Sequence, residues 1–161
     1  MSNRAVAFAL RVAALMLAAF AVQRLVVLPQ RANHELDAVE RRTEAAAAMA
    51  GPEQAIVARD NVARLDRVAA GARTSVDYYI LAGDNARIAG DLETALARYS
   101  GALTVDQRPE IYFSRGMVRV ELHDVDGAVA DLVRAVEFSP PTLHRIKDEV
   151  LRERVEQALR R

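Results

Sequence analysis

Apolar residues run almost unbroken from Ala5 to Leu28, AVAFALRVAALMLAAFAVQRLVVL, with Arg11 and Arg24 as the charged interruptions. A helix of this length spans roughly 36 Å, against about 30 Å for the hydrocarbon core of a bilayer. After Pro29, which is expected to end this segment, the pattern changes. Residues 32–50 mix charge with alanine and carry only a thin apolar stripe, which reads as a solvated helical stalk. Gly51-Pro52 breaks it. Residues 53–70 place Ile56, Ala58, Val62, Leu65 and Ala69 on one helical face, expected to cover the open side of the next helix pair. Between 75 and 140 the apolar spacing predicts two pairs of short helices. Asp91 and Asp124 are the expected N-caps, Thr74 with Asp77 forms a capping box, and Pro109 begins a helix. Pro140-Pro141 stops the last of these. A final helix comes next, with Leu143, Ile146, Val150, Leu151, Val155, Ala158 and Leu159 as its stripe. The fold class is all-α.

The two helix pairs repeat. Tyr79 and Tyr112, Gly83 and Gly116, Ala95 and Ala128, Tyr99 and Leu132, and Ala102 and Ala135 all stand 33 residues apart. In each unit an aromatic precedes a glycine by one turn on the first helix. The second helix then offers small, large and small residues, which suits close antiparallel packing. This pattern resembles the tetratricopeptide repeat, whose period is about 34 residues. The resemblance implies a short tetratricopeptide-like stack of two helix-turn-helix units plus flanking helices, with an N-terminal transmembrane helix. The implied divisions are 1–30 for the anchor or signal segment, 31–74 for stalk and packing helix, 75–140 for the repeats and 141–161 for a capping helix. Arg115 and Arg119 depart from the family pattern, standing where it places a leucine and an aromatic. Gln107 replaces the closing proline of the first unit, and Gly101 lies inside a helix.

In this family the first helix of each unit lines a binding groove. By position, the resemblance places Asp77, Ile80, Asp84, Arg87, Ile88, Glu110, Phe113, Met117, Val120 and Glu121 there. The lysines and asparagines with which relatives grip a terminal carboxylate are missing. What remains is an apolar patch of Ile80, Phe113, Met117 and Val120, edged by Asp84 and Arg87, suited to an apolar segment with basic flanks. The competing reading has Phe113 and Met117 packed against the chain's own terminal helices.

Charge sharpens this picture. The chain is neutral overall, but residues 1–30 carry +3, residues 76–140 carry −5 and residues 141–161 carry +2. An acidic repeat region is a poor surface for nucleic acid, whose phosphates demand cations. There is no cysteine, so disulfides and thiol chemistry are excluded. His34-Glu35 lacks the second histidine of a zinc-protease helix, and Asp124-Val125-Asp126-Gly127 lacks the remaining ligands of a calcium loop. His144 and Asp148 are expected to be a solvated pair. No nucleophile elbow, phosphate loop or dinucleotide fingerprint occurs. Neither catalysis, a cofactor, a metal nor a small-molecule substrate is expected.

The leading function is a membrane-anchored protein-binding adaptor or scaffold, accessory to an envelope, secretion or polysaccharide assembly, with a protein partner. Alanine abundance and a single lysine match a GC-rich bacterial genome. Arg4 and the amino terminus favour a cytoplasmic start, placing a single-pass protein in the inner membrane with its domain in the periplasm. Two alternatives stand beside it. Ala19-Phe20-Ala21 fits a signal cleavage site, which gives a soluble exported binding protein. The acidic groove alone supports an enzyme with an unrecognised site.

Overall fold

A computed structural model describes residues 3–49, 51–72 and 75–160, with the side chains of residues 3–7 and 9 outside the description. Thr74, expected in a capping box, lies outside the described residues. Among those described there are only helices and turns. In order they are α1 (Asn3–Val22), a π-helical turn (Gln23–Val27), α2 (Leu28–Ala46), α3 (Pro52–Ala72), α4 (Val76–Ile88), α5 (Leu92–Val105), α6 (Pro109–Glu121), α7 (Val125–Phe138), a 3-10 segment (Pro140–Arg145) and α8 (Glu149–Leu159).

Pro29 does not end the first helix. It sits in the first turn of α2, and the chain passes from α1 through the π turn without leaving helical geometry. In a straight α-helix the proline ring would press on the carbonyl four residues earlier. Here the extra residue of the π turn, closed by Leu28 N–H donating to the Gln23 carbonyl, re-registers the backbone just before the ring.

Residues 28–46 are also not a solvated stalk. Helix α2 packs antiparallel on α3, burying Ala32, Val39 and Ala46 against a partner face with Ala58, Leu65 and Ala72. The stripe looks thin in sequence because alanine supplies most of it. Small side chains let the two helices approach closely. Of the face expected on α3, Ile56 instead points outward. The seam is closed by Arg64 with Glu35 at 3.1 Å and Arg42 with Asp60 at 2.6 Å.

At the α2–α3–α4 junction a polar network is buried. Asn61 Nδ2 donates to Asn85 Oδ1 at 2.9 Å, and Asn85 Nδ2 donates to Thr43 Oγ1 at 3.0 Å and to the Leu81 carbonyl at 2.9 Å. Arg42 Nε donates to Asn61 Oδ1 at 2.8 Å. Both asparagines are buried, and each amide finds partners on other helices or its own backbone.

The hairpins α4–α5 and α6–α7 come next. Ala95, Ala102, Ala128 and Ala135 are fully buried at their crossings, as the repeat spacing predicts. Gly83 lies under the Tyr99 ring, where an added Cβ would fall 2.8 Å from a ring carbon. Gly116 faces Leu132 in the same way, with the corresponding approach at 3.1 Å. Gly101, a helix-weakening residue by composition, makes room for the ring of Tyr79. The turns agree as well. Gly90 and His123 both take left-handed backbone, at φ 81° and 63°. Asp91 and Asp124 then cap the next helices, accepting from Thr94 N at 3.1 Å and Gly127 N at 3.0 Å. Ser75 caps α4, accepting from Tyr78 N.

Arg115 and Arg119 are both held by one aspartate. Arg115 grips buried Asp131 through two bonds, at 2.8 and 2.6 Å, and Arg119 approaches it at 3.0 Å. Beyond Pro140 the chain makes a 3-10 turn rather than a helix. Asp148 then caps α8, accepting from Leu151 N at 2.9 Å, so His144 and Asp148 do not share a helical face. Leu132, Val136, Ile146, Leu151 and Val155 form the closing core, while Val150 and Leu159 remain exposed.

These crossings set two stability outcomes. Gly83→Ala should destabilise by about 1–3 kcal/mol, and Gly116→Ala by less, because an aliphatic branch yields more easily than a ring wedged between helices. Thermal melts of the two variants check the order. Asn61→Ala should cost about 1–3 kcal/mol, since it removes the 2.9 Å donor to the buried Asn85 carbonyl, leaving the Thr43 hydroxyl at 3.2 Å, and takes away the acceptor of Arg42 Nε. Asn61→Ala melting like the wild type would show that the network contributes nothing.

Candidate interaction cleft

The groove residues expected from sequence are divided by the structure among three settings. Ile80 and Asp84 line an open cleft of about 730 Å³ between α2 and α4, together with Leu36, Leu81 and the carboxylates of Asp37, Glu40 and Asp77. Arg87 does not stand free. Its guanidinium meets Glu121 at 2.6 Å and ties α4 to α6. Phe113 and Val120 are half-buried against the closing core, and the Arg145 guanidinium lies 4.3 Å from the Phe113 ring centre. Met117 is half-buried on α6 and Ile88 is exposed at the end of α4. The patch imagined as continuous is therefore a cleft at the α2 end and a packed contact at the α8 end.

Local sequence explains the cleft. Ser75 starts α4 opposite Asn33, and the i, i+3, i+4 and i+7 spacing of Asp77, Ile80, Leu81 and Asp84 aims all four at α2. From α2, Leu36, Asp37 and Glu40 repeat the arrangement. The result is an apolar floor with acidic edges. These α2 residues were missed because the segment reads as a stalk. The available signal was Leu36 in the stripe with Ala32 and Val39.

Asp84 is the most constrained of the acids. It accepts a 2.5 Å hydrogen bond from the Tyr99 hydroxyl. Burial pushes its carboxyl above the usual range, against the opposing effects of the Tyr99 bond and the Arg87 charge. Tyr99 is pushed upward too, by burial first and then by the neighbouring Asp84 charge, so its proton stays on the phenol. This pair is a fixed donor and acceptor that holds the cleft wall to α5. Among the described residues no three His, Asp or Glu side chains converge to hold a metal ion.

Because Asp84 is harder to ionise folded than unfolded, the folded state binds its proton more tightly. Its ionisation therefore costs stability, and the cost grows as pH rises from the ordinary aspartate range through the elevated folded value. Asp84→Asn keeps an acceptor for Tyr99 and should remove that slope, leaving the variant at least as stable as wild type at neutral pH. Denaturant titrations across this acid range check it; an unchanged slope would mean that Asp84 ionises without penalty. Phe113→Ala should lower the melting temperature, with a loss of stability of about 1–3 kcal/mol for a half-buried ring, because Phe113 supports the closing core.

The chain matches no protein-family model, and no curated protein matches it.

Proposed function

We propose that this protein is a non-catalytic membrane-anchored adaptor whose tetratricopeptide-like helical domain receives a protein partner in the cleft between α2 and α4. The observation that carries the reading is that cleft, an apolar floor of Leu36, Ile80 and Leu81 ringed by Asp37, Glu40, Asp77 and Asp84. An apolar helical or extended segment with Arg or Lys flanks is its complement. The paired contacts Gly83–Tyr99 and Gly116–Leu132, and the paired turns at Gly90 and His123, support the tetratricopeptide-like reading.

The anchor rests on a second line of support. The stretch beginning at Leu10 is long and apolar enough to cross a membrane, and its apolar window buries no part of itself in the domain. Phe8, Leu15, Met16, Leu17, Phe20 and Leu25 are all largely exposed. A contiguous apolar surface of this kind is costly in water and marks a membrane or partner contact. With Arg4 and the amino terminus on the cytoplasmic side of a bacterial inner membrane, the domain stands in the periplasm. There it serves an envelope, secretion or polysaccharide assembly by fold-level analogy.

Two measurements test the reading. Intact mass of the membrane-extracted protein should show the uncleaved N-terminal segment; a start at Val22 would overturn the anchor. For the cleft, a fluorescent leucine- and alanine-rich helical peptide with arginine flanks should bind the detergent-solubilised full chain and weaken with salt. Asp37→Lys with Glu40→Lys should reduce affinity about tenfold or more, equivalent to roughly 1.4 kcal/mol. Unchanged anisotropy titrations in that double variant would remove the cleft as the binding site.

A further inference from the structure

The junction between span and domain has no slack. Exposed apolar surface continues along the helix as far as Val26, and the domain begins at the next turn. At Leu28 the C-terminal turn of α3 closes in: a Cβ on Gly71 would fall 2.5 Å from the Leu28 carbonyl oxygen. Because the helix is unbroken from α1 through the π turn into α2, the end of α3 sits at the depth where the apolar segment ends. It cannot stand off on a flexible linker.

The antiparallel register of α2 and α3 then sets which side chains share that level. Leu28 lies against Gly71, and Glu35 pairs with Arg64. Between these two points Arg31 on α2 and Arg67 on α3 come level with one another, roughly one turn, about 5 Å, beyond the end of the span. Both are exposed, and among the described residues neither forms an ion pair. Arg67 donates to the Ala63 carbonyl at 3.2 Å and reaches Asp60 only through space. Acids on the neighbouring faces are engaged elsewhere, Glu35 by Arg64 at 3.1 Å and Asp66 by Arg98 at 2.5 Å. Arg31 and Arg67, exposed and outside any ion pair among the described residues, thus flank a small-residue helix end with Ala70 exposed, at the level where the apolar segment ends.

We propose that this membrane-proximal base, the last turn of α3 flanked by Arg31 and Arg67, rests on anionic phospholipid headgroups and fixes the tilt of the domain on the bilayer. The inference depends on the helix through Val26 being a membrane span. Arginine near a charged leaflet binds lipid phosphate in bidentate fashion, and such basic groups act within a Debye length of the surface.

The absence of cysteine allows a single fluorophore at a chosen position in the full chain. Labels are placed at Leu17→Cys, Ala70→Cys and Glu53→Cys, the last about 27 Å along α3 from Gly71. Each is reconstituted in phosphatidylcholine vesicles with or without phosphatidylglycerol, carrying nitroxides on the acyl chain or on the headgroup. Acyl-chain quenching at Leu17→Cys establishes the span, and its absence would sink the anchor reading on which this one stands. With the span established, headgroup nitroxide should quench Ala70→Cys at least twofold more than Glu53→Cys, and more strongly with phosphatidylglycerol present. Arg31→Glu with Arg67→Glu should abolish that increment, while Arg31→Lys with Arg67→Lys should retain it, both with wild-type circular dichroism. Equal quenching at Ala70→Cys and Glu53→Cys would overturn the docking. Quenching at Ala70→Cys that ignores both phosphatidylglycerol and charge reversal would overturn the role of anionic lipid.

Discussion

The junction of Thr43, Asn61 and Asn85 is the constraint on which the rest of the structure depends. Three helices meet there with polar amides in a place water does not reach. Each amide takes at least one partner from a neighbouring helix, so sliding one helix along another breaks a buried hydrogen bond at a cost comparable to a whole hydrogen bond. Hydrophobic contact alone would tolerate such sliding, because alanine faces are smooth. The network therefore sets the register of α2 and α3 against α4. Since α1 continues into α2, it also sets the direction in which the apolar helix leaves the domain.

From that junction the architecture propagates by close approach. Glycine and alanine at the crossings let helices come near enough for Tyr99, Tyr79 and Leu132 to fill the opposing space. The cleft between α2 and α4 is a consequence. The α2–α3 hairpin is held to α4 at the Asn61–Asn85 end, and beyond that contact the facing sides of α2 and α4 remain unfilled and carry carboxylates. Asp84, held by Tyr99, links the cleft wall to the same crossing that Gly83 permits. Packing in one hairpin and the chemistry of the cleft thus share a residue.

At the other end of the domain the balance is electrostatic. Arg115 and Arg119 are half-buried cations on α6, and such charges are best tolerated when paired and hydrogen-bonded. Asp131 supplies both pairings from α7. Arg145, stacked on Phe113, takes what would otherwise be groove surface into the closing contact. A cation on an aromatic face is a modest attraction, but it accompanies the packing of Phe113 against the closing core of Leu132, Val136, Ile146, Leu151 and Val155. This is why Phe113 belongs to the closing contact and does not line the cleft between α2 and α4.

Several features were legible in the residues themselves because they depend on near neighbours in the chain. The helical class, the turns at Gly90 and His123, the caps at Asp91 and Asp124, the buried alanines at the crossings and the apolar N-terminal segment all arise from spacing over a few residues. The remainder required contacts between distant segments. Whether residues 32–46 were stalk or core depended on a partner face on α3, since a thin alanine stripe has the same pattern in either state. Whether Pro29 broke the helix depended on an extra residue in the turn before it, a backbone adjustment no side-chain pattern encodes. The place of Phe113, as groove or as core, was decided by where the segment after Pro140 folded back, and the acidic cleft exists only because α2 came to lie beside α4. Local periodicity determines which face of a helix is apolar; only tertiary packing decides what covers that face.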